Sequence, residues 1–296
     1  MALPAAIAYT PPVPPLRELP TSRAPWTLDP DRAAVLVHDL QAYFLRPYHA
    51  ASPLLTDMLD GTARILAAAR AVGVPVFYTA QDGDHSDRAL QGDLWGPGMS
   101  AAAADTAIHA EVAPVEGDTV LVKKRYSAFA KSDLTEQLSA RGRDQLVIVG
   151  VYAGIGITAS AYDAFCRDVQ PFVVADATAD LGPEQHARAL DMVASCAGVV
   201  TSVNDVVAAL ARSDASPTAD GWEATVRSAL LAVSSEQFVA SAVSDPDADL
   251  FELGLSSLHA FDLLDELADA GVDVDYGAFT RRATFAYLVE QGAVLV

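Results

Sequence analysis

Residues 146–160, LVIVGVYAGIGITAS, decide the fold of this chain. The four apolar residues 146–149 are typical of a parallel strand that is covered on both faces. Gly150, Gly154 and Gly156 follow, and glycines allow tight turns and close backbone approaches that a side chain would block. In an open α/β sheet, ligands bind at such a junction, at the carboxyl end of a strand. A turn with a packing role alone is the other interpretation of these glycines.

Short apolar runs and helical patterns alternate through the first two thirds of the chain. The apolar runs predict strands at residues 33–37, 74–79, 119–122, 146–149, 172–175 and 199–201. Apolar residues at helical spacing predict helices at 54–72, 134–141, 157–167, 184–196 and 203–212. This alternation indicates an α/β domain over residues 1–212, a three-layer parallel sheet with right-handed crossovers.

The last third of the chain differs in character. Residues 213–220 are polar and contain a proline, which is typical of a linker. Beyond them, helical patterns predict helices near 222–233, 257–270 and 285–289, with an Asp-rich loop after the first of these. The sequence therefore predicts a small all-helical domain at 221–296.

The net charge separates the same two regions. It is −20 for the chain, and −11 of it lies in residues 218–296, which hold 14 acidic and 3 basic side chains. A chain this acidic lacks the Lys and Arg patches that bind nucleic acid. The acidic helical region is instead expected to meet basic surfaces of partner proteins.

Composition also bears on the compartment. No apolar run approaches the roughly 20 residues of a membrane helix, and the Pro-rich start does not resemble a secretory signal. Cys166 and Cys196 are the only cysteines and do not form a CxxC pair. Two such thiols predict buried, reduced side chains in a cytoplasmic protein, and neither a membrane nor a nucleic acid is expected as a partner.

Two charged residues stand at the ends of predicted strands. Asp39 ends the first strand and Lys123 ends the third. A carboxyl group buried beside Leu40 and Phe44 is favoured in its protonated form and can act as a general acid. Taken alone, Asp39 is also explained as a helix N-cap and Lys123 as a solvated lysine. If both face one pocket, the lysine can hold an anionic substrate or tune the aspartate.

Several longer stretches together resemble one known family. They are VHDLQAYFLRP, YTAQ with DRAL and LWGPGM after it, VKKRYSAF, GRDQLVIVGVYAGIG and QPFVVADATAD, in this order. These motifs resemble the isochorismatase family, and most closely the isochorismatases of catechol siderophore and phenazine pathways. The resemblance covers roughly residues 9–210 and implies an isochorismatase-like hydrolase fold that forms homo-oligomers.

The resemblance also implies which nucleophile is missing. Nicotinamidases and related amidases of the wider superfamily use an Asp, a Lys and a nucleophilic Cys, and the matching position of the Cys is Gly156 here. Amide hydrolysis through a thioester is therefore not expected. Cys166 lies along the next predicted helix and is expected in the core. Asp84 and His85 are too few for the metal site of a nicotinamidase and are expected in a surface loop, so no metal is predicted.

The reaction that the resemblance implies needs no nucleophilic side chain. Isochorismate carries an enolpyruvyl ether, and hydrolysis of a vinyl ether begins with protonation of its terminal carbon. Asp39 would deliver this proton, Lys123 would hold Asp39 or the developing charge, and Arg88 would pair with a substrate carboxylate. The resemblance assigns the pocket wall to Phe44, Gln81, Arg88, Trp95 and Tyr152. Without it, Phe44 and Trp95 are also explained as core residues and Arg88 as half of a surface ion pair.

Two departures from the family pattern leave the substrate open. Gly154 stands where relatives usually carry His, and Lys124 stands where VKWR is more usual. Isochorismate and its 2-amino analogue, 2-amino-2-deoxyisochorismate, both remain candidate substrates. A first domain that has become a non-catalytic scaffold is a second hypothesis, and an amidase with another nucleophile is a third.

The stretch GLSSL in the helical region resembles the modification site of peptidyl and aryl carrier proteins, where GxDS is more common. The resemblance implies a 4′-phosphopantetheine on Ser257, with Ser256 in place of the usual Asp. A phosphopantetheinyl transferase, an aryl-acid adenylating enzyme and a condensation domain of a nonribosomal peptide synthetase are the implied partners. The alternatives are a Ser257 that only caps a helix and an acidic bundle without attachment. The helical pattern predicts one apolar face formed by Leu258, Phe261, Leu264 and Leu267.

Overall fold

The computed structural model describes residues 19–48, 52–83, 88–211, 219–269 and 274–293. They fall into two compact units, which divide between residues 213 and 214. Within the described ranges, no helix has both the length and the apolar character needed to cross a membrane. The first unit carries the sheet and the second is helical, as the sequence predicts.

The first unit is built on a six-stranded sheet whose neighbouring strands are all parallel. The strands lie side by side in the order β3, β2, β1, β4, β5, β6. Their bounds are β1 Ala33–His38, β2 Val76–Ala80, β3 Thr119–Val122, β4 Gln145–Val151, β5 Gln170–Ala179 and β6 Val199–Thr201.

Helices cover both faces of this sheet and confirm the predicted three layers. Alternate residues of β1 enter two separate cores, since Val35 and Val37 contribute to one and Ala34 and Leu36 to the other. The first core includes residues of α2 Pro53–Ala71 and α8 Val203–Ala211. The second includes residues of α5 Leu134–Ala140, α6 Thr158–Phe165 and α7 Pro183–Cys196.

The strand order places a crevice above β1. The chain steps from β1 to β2 and β3 on one side, and then returns to β4 on the other side. Connections that leave in opposite directions open a crevice at the carboxyl ends of the central strands. Asp39, Gln81, Lys123 and Tyr152 each follow a strand at this edge.

In the described part of the second unit, five helices pack around a separate apolar core. They are α9 Ala219–Val233, α10 Glu236–Ser244, α11 Ser257–Asp269, α12 Tyr276–Phe279 and α13 Phe285–Ala293. Leu230, Leu250, Leu263 and Phe279 are fully buried at its centre.

Several short helices were missing from the sequence prediction. In the first unit these are α1 Ala42–Leu45, α3 Leu90–Trp95 and α4 Ala103–Thr106, each too short to show helical periodicity. The predicted Asp-rich loop was wrong over its first part, because it contains α10. The side chain of Ser235 caps this helix by accepting a hydrogen bond from the N–H of Phe238, at 3.2 Å.

The boundary between the units also differs in detail from the prediction. Helix α9 begins at Ala219, so the last two residues of the predicted linker 213–220, and Gly221 after them, are helical. The remaining linker residues, 213–218, lie outside the described part of the chain.

The predicted burial of the cysteines was wrong. Cys166 and Cys196 are both free thiols and both exposed. Cys166 caps the carboxyl end of α6 and Cys196 is the last residue of α7, so each stands at the end of a helix, shortly before the next strand begins. A cysteine count indicates the redox state, but it does not say on which side of a helix a thiol lies.

The predicted apolar face of α11 was half wrong. Leu264 and Leu267 are buried as expected, but Leu258 is 69% exposed and Phe261 is 51% exposed. The buried face instead uses Ala260 and Leu263, each with no exposed surface. The helical period alone does not decide which of two overlapping apolar stripes meets the core.

Candidate active site

The eight residues of the α/β unit that the sequence singled out line one cleft. The space between its walls is about 610 Å³, a volume that includes solvent at the open mouth of the cleft. It lies at the carboxyl ends of the central strands, and its predicted members are Asp39, Phe44, Gln81, Arg88, Trp95, Lys123, Tyr152 and Gly156.

Asp39 receives hydrogen bonds on both carboxyl oxygens from side chains of other strands. The Nζ of Lys123 lies 2.7 Å from Oδ2, and the hydroxyl of Thr79 donates to Oδ1 at 2.6 Å. Neighbouring strands are about 4.8 Å apart, so Lys123 reaches from β3 across β2 to the end of β1. All three side chains are almost fully buried, which shields the ion pair from solvent.

The backbone of Asp39 adopts a left-handed conformation, with φ of +54°. Aspartate tolerates this region better than most residues, but at some cost in conformational energy. The N–H of Asp39 donates to the hydroxyl oxygen of Thr79 at 3.2 Å, so Thr79 holds both the backbone and the carboxyl group. The reactive carboxyl group is therefore held in one position before any ligand binds.

His38 precedes Asp39 and lies fully buried behind the cleft. Its Nδ1 is 2.9 Å from the carbonyl oxygen of Val151 and 3.7 Å from Oδ2 of Asp39. The pKa of His38 is lowered to about 4, chiefly because the ring is buried; the charge of Asp39 opposes this shift and that of Lys123 adds to it. The imidazole is neutral at pH 7, and because a carbonyl oxygen only accepts, Nδ1 carries the proton.

Aromatic rings form one wall of the cleft. The ring of Phe44 meets those of Tyr43 and Tyr152 edge-on, with centroids 5.3 Å and 6.1 Å away. The hydroxyl of Tyr152 donates to the carbonyl oxygen of Phe44 at 2.6 Å. Burial raises the pKa of Tyr152, so this hydroxyl stays protonated and the wall stays uncharged. Phe44 is thus part of the cleft wall as well as of the packing beneath it.

Polar groups form the opposite side. The side-chain amide of the buried Gln41 holds Gln81 by its backbone, donating to the carbonyl oxygen at 2.9 Å and accepting from the N–H at 2.8 Å. Arg88 uses its Nε to donate to the carbonyl oxygen of Gly96 at 2.9 Å. This bond fixes the guanidinium group at the cleft, and its other nitrogens, which make no hydrogen bond to the described residues, suit an anionic ligand.

The two departures from the family pattern lie in different places. Lys124 does not line the cleft; its Nζ is 3.6 Å from a carboxyl oxygen of Asp82. The N–H of Gly154 donates to Oδ2 of Asp180 at 2.5 Å, and a Cβ on Gly154 would lie 2.8 Å from that oxygen. Asp180 is buried, and burial raises the pKa of its carboxyl group. Asp84 and His85 lie outside the described residues.

Some residues of the site were missed by the sequence prediction. The cleft is also lined by Tyr43, Gln91, Tyr126, Val151 and Ile155. The indole N–H of Trp95 donates to the hydroxyl of Tyr126 at 2.6 Å. Thr79 had a usable signal, because a polar residue near the end of the strand between those of Asp39 and Lys123 must lie beside them.

In the second unit, Ser257 is the first residue of α11 and is exposed. The side chain of Ser256, not that of Ser257, caps this helix, since its oxygen accepts a hydrogen bond from the N–H of His259 at 3.2 Å. Serine and aspartate are both good capping residues, so Ser256 keeps this function of the usual Asp. Ser257 makes no side-chain hydrogen bond within the described part of the chain, and its hydroxyl stands free at a helix terminus.

Among the described residues, no three His, Cys, Asp or Glu side chains come together in a way that could hold a metal ion.

Comparisons with known proteins agree with this geometry. The family model of the isochorismatase domain matches residues 33–205. The chain is 45% identical over 207 residues to the phenazine biosynthesis protein PhzD of Pseudomonas fluorescens, covering 69% of this chain and 98% of the relative. It is 35% identical over 286 residues to enterobactin synthase component B of Escherichia coli K12, covering 96% of this chain and 95% of the relative. A solved cysteine hydrolase from Pseudomonas syringae pv. phaseolicola aligns with a TM-score of 0.59 and 26% identity, over 66% of this chain and 99% of that one.

Proposed function

Because the chain belongs to the isochorismatase family and is a hydrolase, we propose that its first unit hydrolyses the enolpyruvyl ether of isochorismate. The products are pyruvate and 2,3-dihydro-2,3-dihydroxybenzoate. The observation that carries the proposal is the buried Asp39, which is held by Lys123 and Thr79 in a cleft whose strand-to-helix turn offers a glycine instead of a nucleophile. This set of groups suits a proton transfer to carbon, and the described residues that line the cleft include no thiol.

The reaction starts when protonated Asp39 transfers its proton to the terminal methylene carbon of the ether. An oxocarbenium ion forms, and the negative charge that appears on Asp39 is stabilised by the donors Lys123 and Thr79, which already point at its two oxygens. Water adds to the cationic carbon, and its proton returns to Asp39. The hemiketal then collapses: the bond between its central carbon and the oxygen attached to the ring breaks, the proton of its hydroxyl passes to that departing oxygen, and pyruvate and the alcohol result.

The rest of the cleft suits an anionic ring substrate. Arg88 offers a guanidinium group for a carboxylate, and Phe44 and Tyr152 offer aromatic edges for the cyclohexadiene ring.

The 2-amino analogue, 2-amino-2-deoxyisochorismate, is a second candidate substrate. It is favoured by the 45% identity to a relative named for phenazine biosynthesis, a closer match than the 35% identity to the enterobactin component. The coverage of 96% of the chain by the enterobactin component favours isochorismate. Both substrates undergo the same protonation at Asp39.

Release of pyruvate from each substrate tests the proposal. We expect turnover of at least one substrate, and a loss of roughly 100-fold or more in Asp39→Asn, which keeps the shape of the side chain but has no acidic proton. Lys123→Met should show a comparable loss, since it removes the donor at 2.7 Å.

Lys124→Met is the matched control, because Lys124 pairs with Asp82 outside the cleft lining. It should retain turnover within about twofold. No pyruvate from either substrate would contradict the hydrolysis and favour the scaffold hypothesis. Release of ammonia from amides would favour an amidase instead.

For the second unit, we propose the role of an aryl carrier protein, with 4′-phosphopantetheine attached to Ser257. The exposed hydroxyl of Ser257 at the start of α11 supports this, because the N–H groups of a helix terminus favour a phosphodiester. When bound, this group supplies a thiol that carries an acyl group as a thioester. The enterobactin component, whose match extends over the helical unit, supports the same role.

The surface around Ser257 fits the proposed partners. Leu258 and Phe261 are exposed on α11 beside it, and the ring of Phe261 stacks on Tyr276 at 4.1 Å. Together with the acidic charge of residues 218–296, this surface suits the transferase, adenylating enzyme and condensation domain named above.

Both thiols of the chain are free and exposed, which suits a reducing compartment such as the cytoplasm. Association of the α/β units into a homo-oligomer remains a prediction.

Mass spectrometry after incubation with coenzyme A and a phosphopantetheinyl transferase tests the carrier role. The native chain and Ser256→Ala should each gain one phosphopantetheine group, and Ser257→Ala should gain none. Ser256→Ala is matched in chemistry and removes only the helix cap, which costs about 1 kcal/mol of stability. The assignment would be contradicted if the Ser257→Ala variant gained the group, or if the native chain did not gain it.

A further inference from the structure

The buried His38 explains two of the three glycines at the end of β4 and in the turn that follows it. His38 pairs in register with Gly150, whose φ is +115°, and a Cβ on Gly150 would collide with the carbonyl group of His38. A Cβ on Gly156 would lie 2.8 Å from Nε2 and 3.1 Å from Nδ1 of the imidazole, and closer still to Cε1. Cβ atoms do not approach other atoms so closely, so the backbone of His38 requires one glycine and its ring requires the other.

The ring of His38 has little room to move aside. Its side chain has no exposed surface, and its Nδ1–H is held by the carbonyl oxygen of Val151 at 2.9 Å. Asp39 and Lys123 lie on the same side, with Oδ2 of Asp39 3.7 Å from Nδ1. A group placed on Gly156 would therefore displace a ring that lies 3.7 Å from the carboxyl group that is proposed to move the proton.

We propose that His38 is a positioning residue that keeps position 156 free of any side chain, and thereby excludes a thiol or hydroxyl nucleophile from the turn. Gly156 lines the same cleft as Asp39 and Lys123, so a nucleophile at this position would stand beside the substrate. While His38 fills the space beside Gly156, the turn carries no nucleophilic side chain at this position, and Asp39 remains the residue that reacts with the substrate. The inference deepens the proposed function and rests on it for the identity of the reaction, whereas the packing is independent of any substrate.

A double-mutant cycle between His38→Ala and Gly156→Ala tests this inference. In the native background, Gly156→Ala should lower Tm by about 5 °C or more, because its methyl group overlaps the ring. It should also lower kcat for pyruvate release by about tenfold or more, because the displaced ring disturbs Asp39. In the His38→Ala background, the same methyl group should have room, and its effect should fall below about 2 °C and about twofold in kcat.

Gly154→Ala is the matched control in the same turn. Its methyl group would meet Oδ2 of Asp180 and not the ring of His38, so its cost in Tm should be the same in both backgrounds. A general loosening of the fold by His38→Ala would relieve both alanines alike. Relief of Gly156→Ala alone identifies the ring as the cause.

Every outcome of the cycle decides the inference. Additive losses in Tm, a tolerated Gly156→Ala in the native background, or failure of both Gly156→Ala variants to fold would overturn it. If His38→Ala alone abolishes turnover, the Tm values of the four chains still show whether the ring of His38 causes the cost of Gly156→Ala. The Tm cycle needs no substrate, so its failure is distinguishable from the absence of pyruvate, which would contradict the proposed function instead.

Discussion

Asp39 depends on two donors that come from different strands. Thr79 of β2 holds one carboxyl oxygen and Lys123, after β3, holds the other. The negative charge on Asp39 grows during proton transfer to the substrate, so donors that already point at it lower the barrier without moving. At this scale, the hydroxyl of Thr79 is the contact whose contribution is easiest to isolate.

We expect Thr79→Val to lower kcat by roughly 10- to 100-fold. Valine has nearly the same shape but no hydroxyl, and a hydrogen bond to a charged group contributes about 1.5–3 kcal/mol. The measurement is kcat for pyruvate release, with Tm recorded beside it. Thr79→Ser keeps the donor and should stay within about threefold of the native chain. A serine variant that loses activity while the valine variant keeps it would show that the methyl group, not the hydroxyl, is required.

At the scale of elements, the packing of α7 against β5 buries a second histidine. His186 of α7 lies with its Nε2 3.0 Å from the hydroxyl of Thr178 in β5. Burial lowers the pKa of His186 to about 4, and the carbonyl group of Ala175 opposes this only in part. The contact between this helix and strand therefore requires a neutral imidazole.

The packing of α7 should weaken in acid. The pKa of His186 is lower in the folded chain than the usual 6.5, so the unfolded chain binds the proton more readily between pH 6.5 and 4. This histidine stabilises the fold fully above pH 6.5, and its contribution falls by up to about 1.4 kcal/mol per pH unit below that. Urea unfolding at pH 7.5 and pH 5 should show a smaller loss of stability in His186→Gln than in the native chain.

His259→Gln is the control for this comparison, because His259 is exposed in the helical unit. It should leave the pH dependence of unfolding as it is in the native chain. The assignment of this pH dependence to His186 would be contradicted if the free energy of unfolding fell as much between pH 7.5 and pH 5 in His186→Gln as in the native chain.

At the scale of the whole molecule, the two units keep separate apolar cores. Two cores lie on the faces of the sheet, and the third consists only of residues from 226 onwards. All eight cleft residues named from the sequence belong to the unit that ends at residue 213. Units with their own cores generally fold alone.

We therefore expect residues 1–213, expressed alone, to release pyruvate with a kcat within about twofold of the full chain. Residues 214–296 alone should be modified on Ser257. The two fragments are measured by pyruvate release and by mass spectrometry, with the full chain as control. Loss of turnover in a fragment that still shows a cooperative thermal transition would mean that the site needs the helical unit.

The sequence by itself determined the fold class, the cleft edge and most of the cleft wall. Buried parallel strands are continuous apolar runs, so their ends can be read directly, and residues that follow parallel strands must gather at one edge. Asp39, Lys123, Gln81 and Tyr152 were found in this way or through the motifs around them. The helical spacing of apolar residues in α11 predicted a buried face. Two of its four predicted members were wrong, because Leu258 and Phe261 are exposed.

Only the tertiary structure decided which partners these residues have. Lys123 reaches Asp39 across a strand, Ser256 takes the cap and leaves Ser257 free, and His38 fills the space beside Gly156. The pattern of a sequence shows which side chains are apolar and at what spacing apolar residues recur, because both are properties of neighbouring positions in the chain. The distance between two strand ends and the volume left beside a glycine arise from elements far apart in sequence, and they exist only once the sheet has formed.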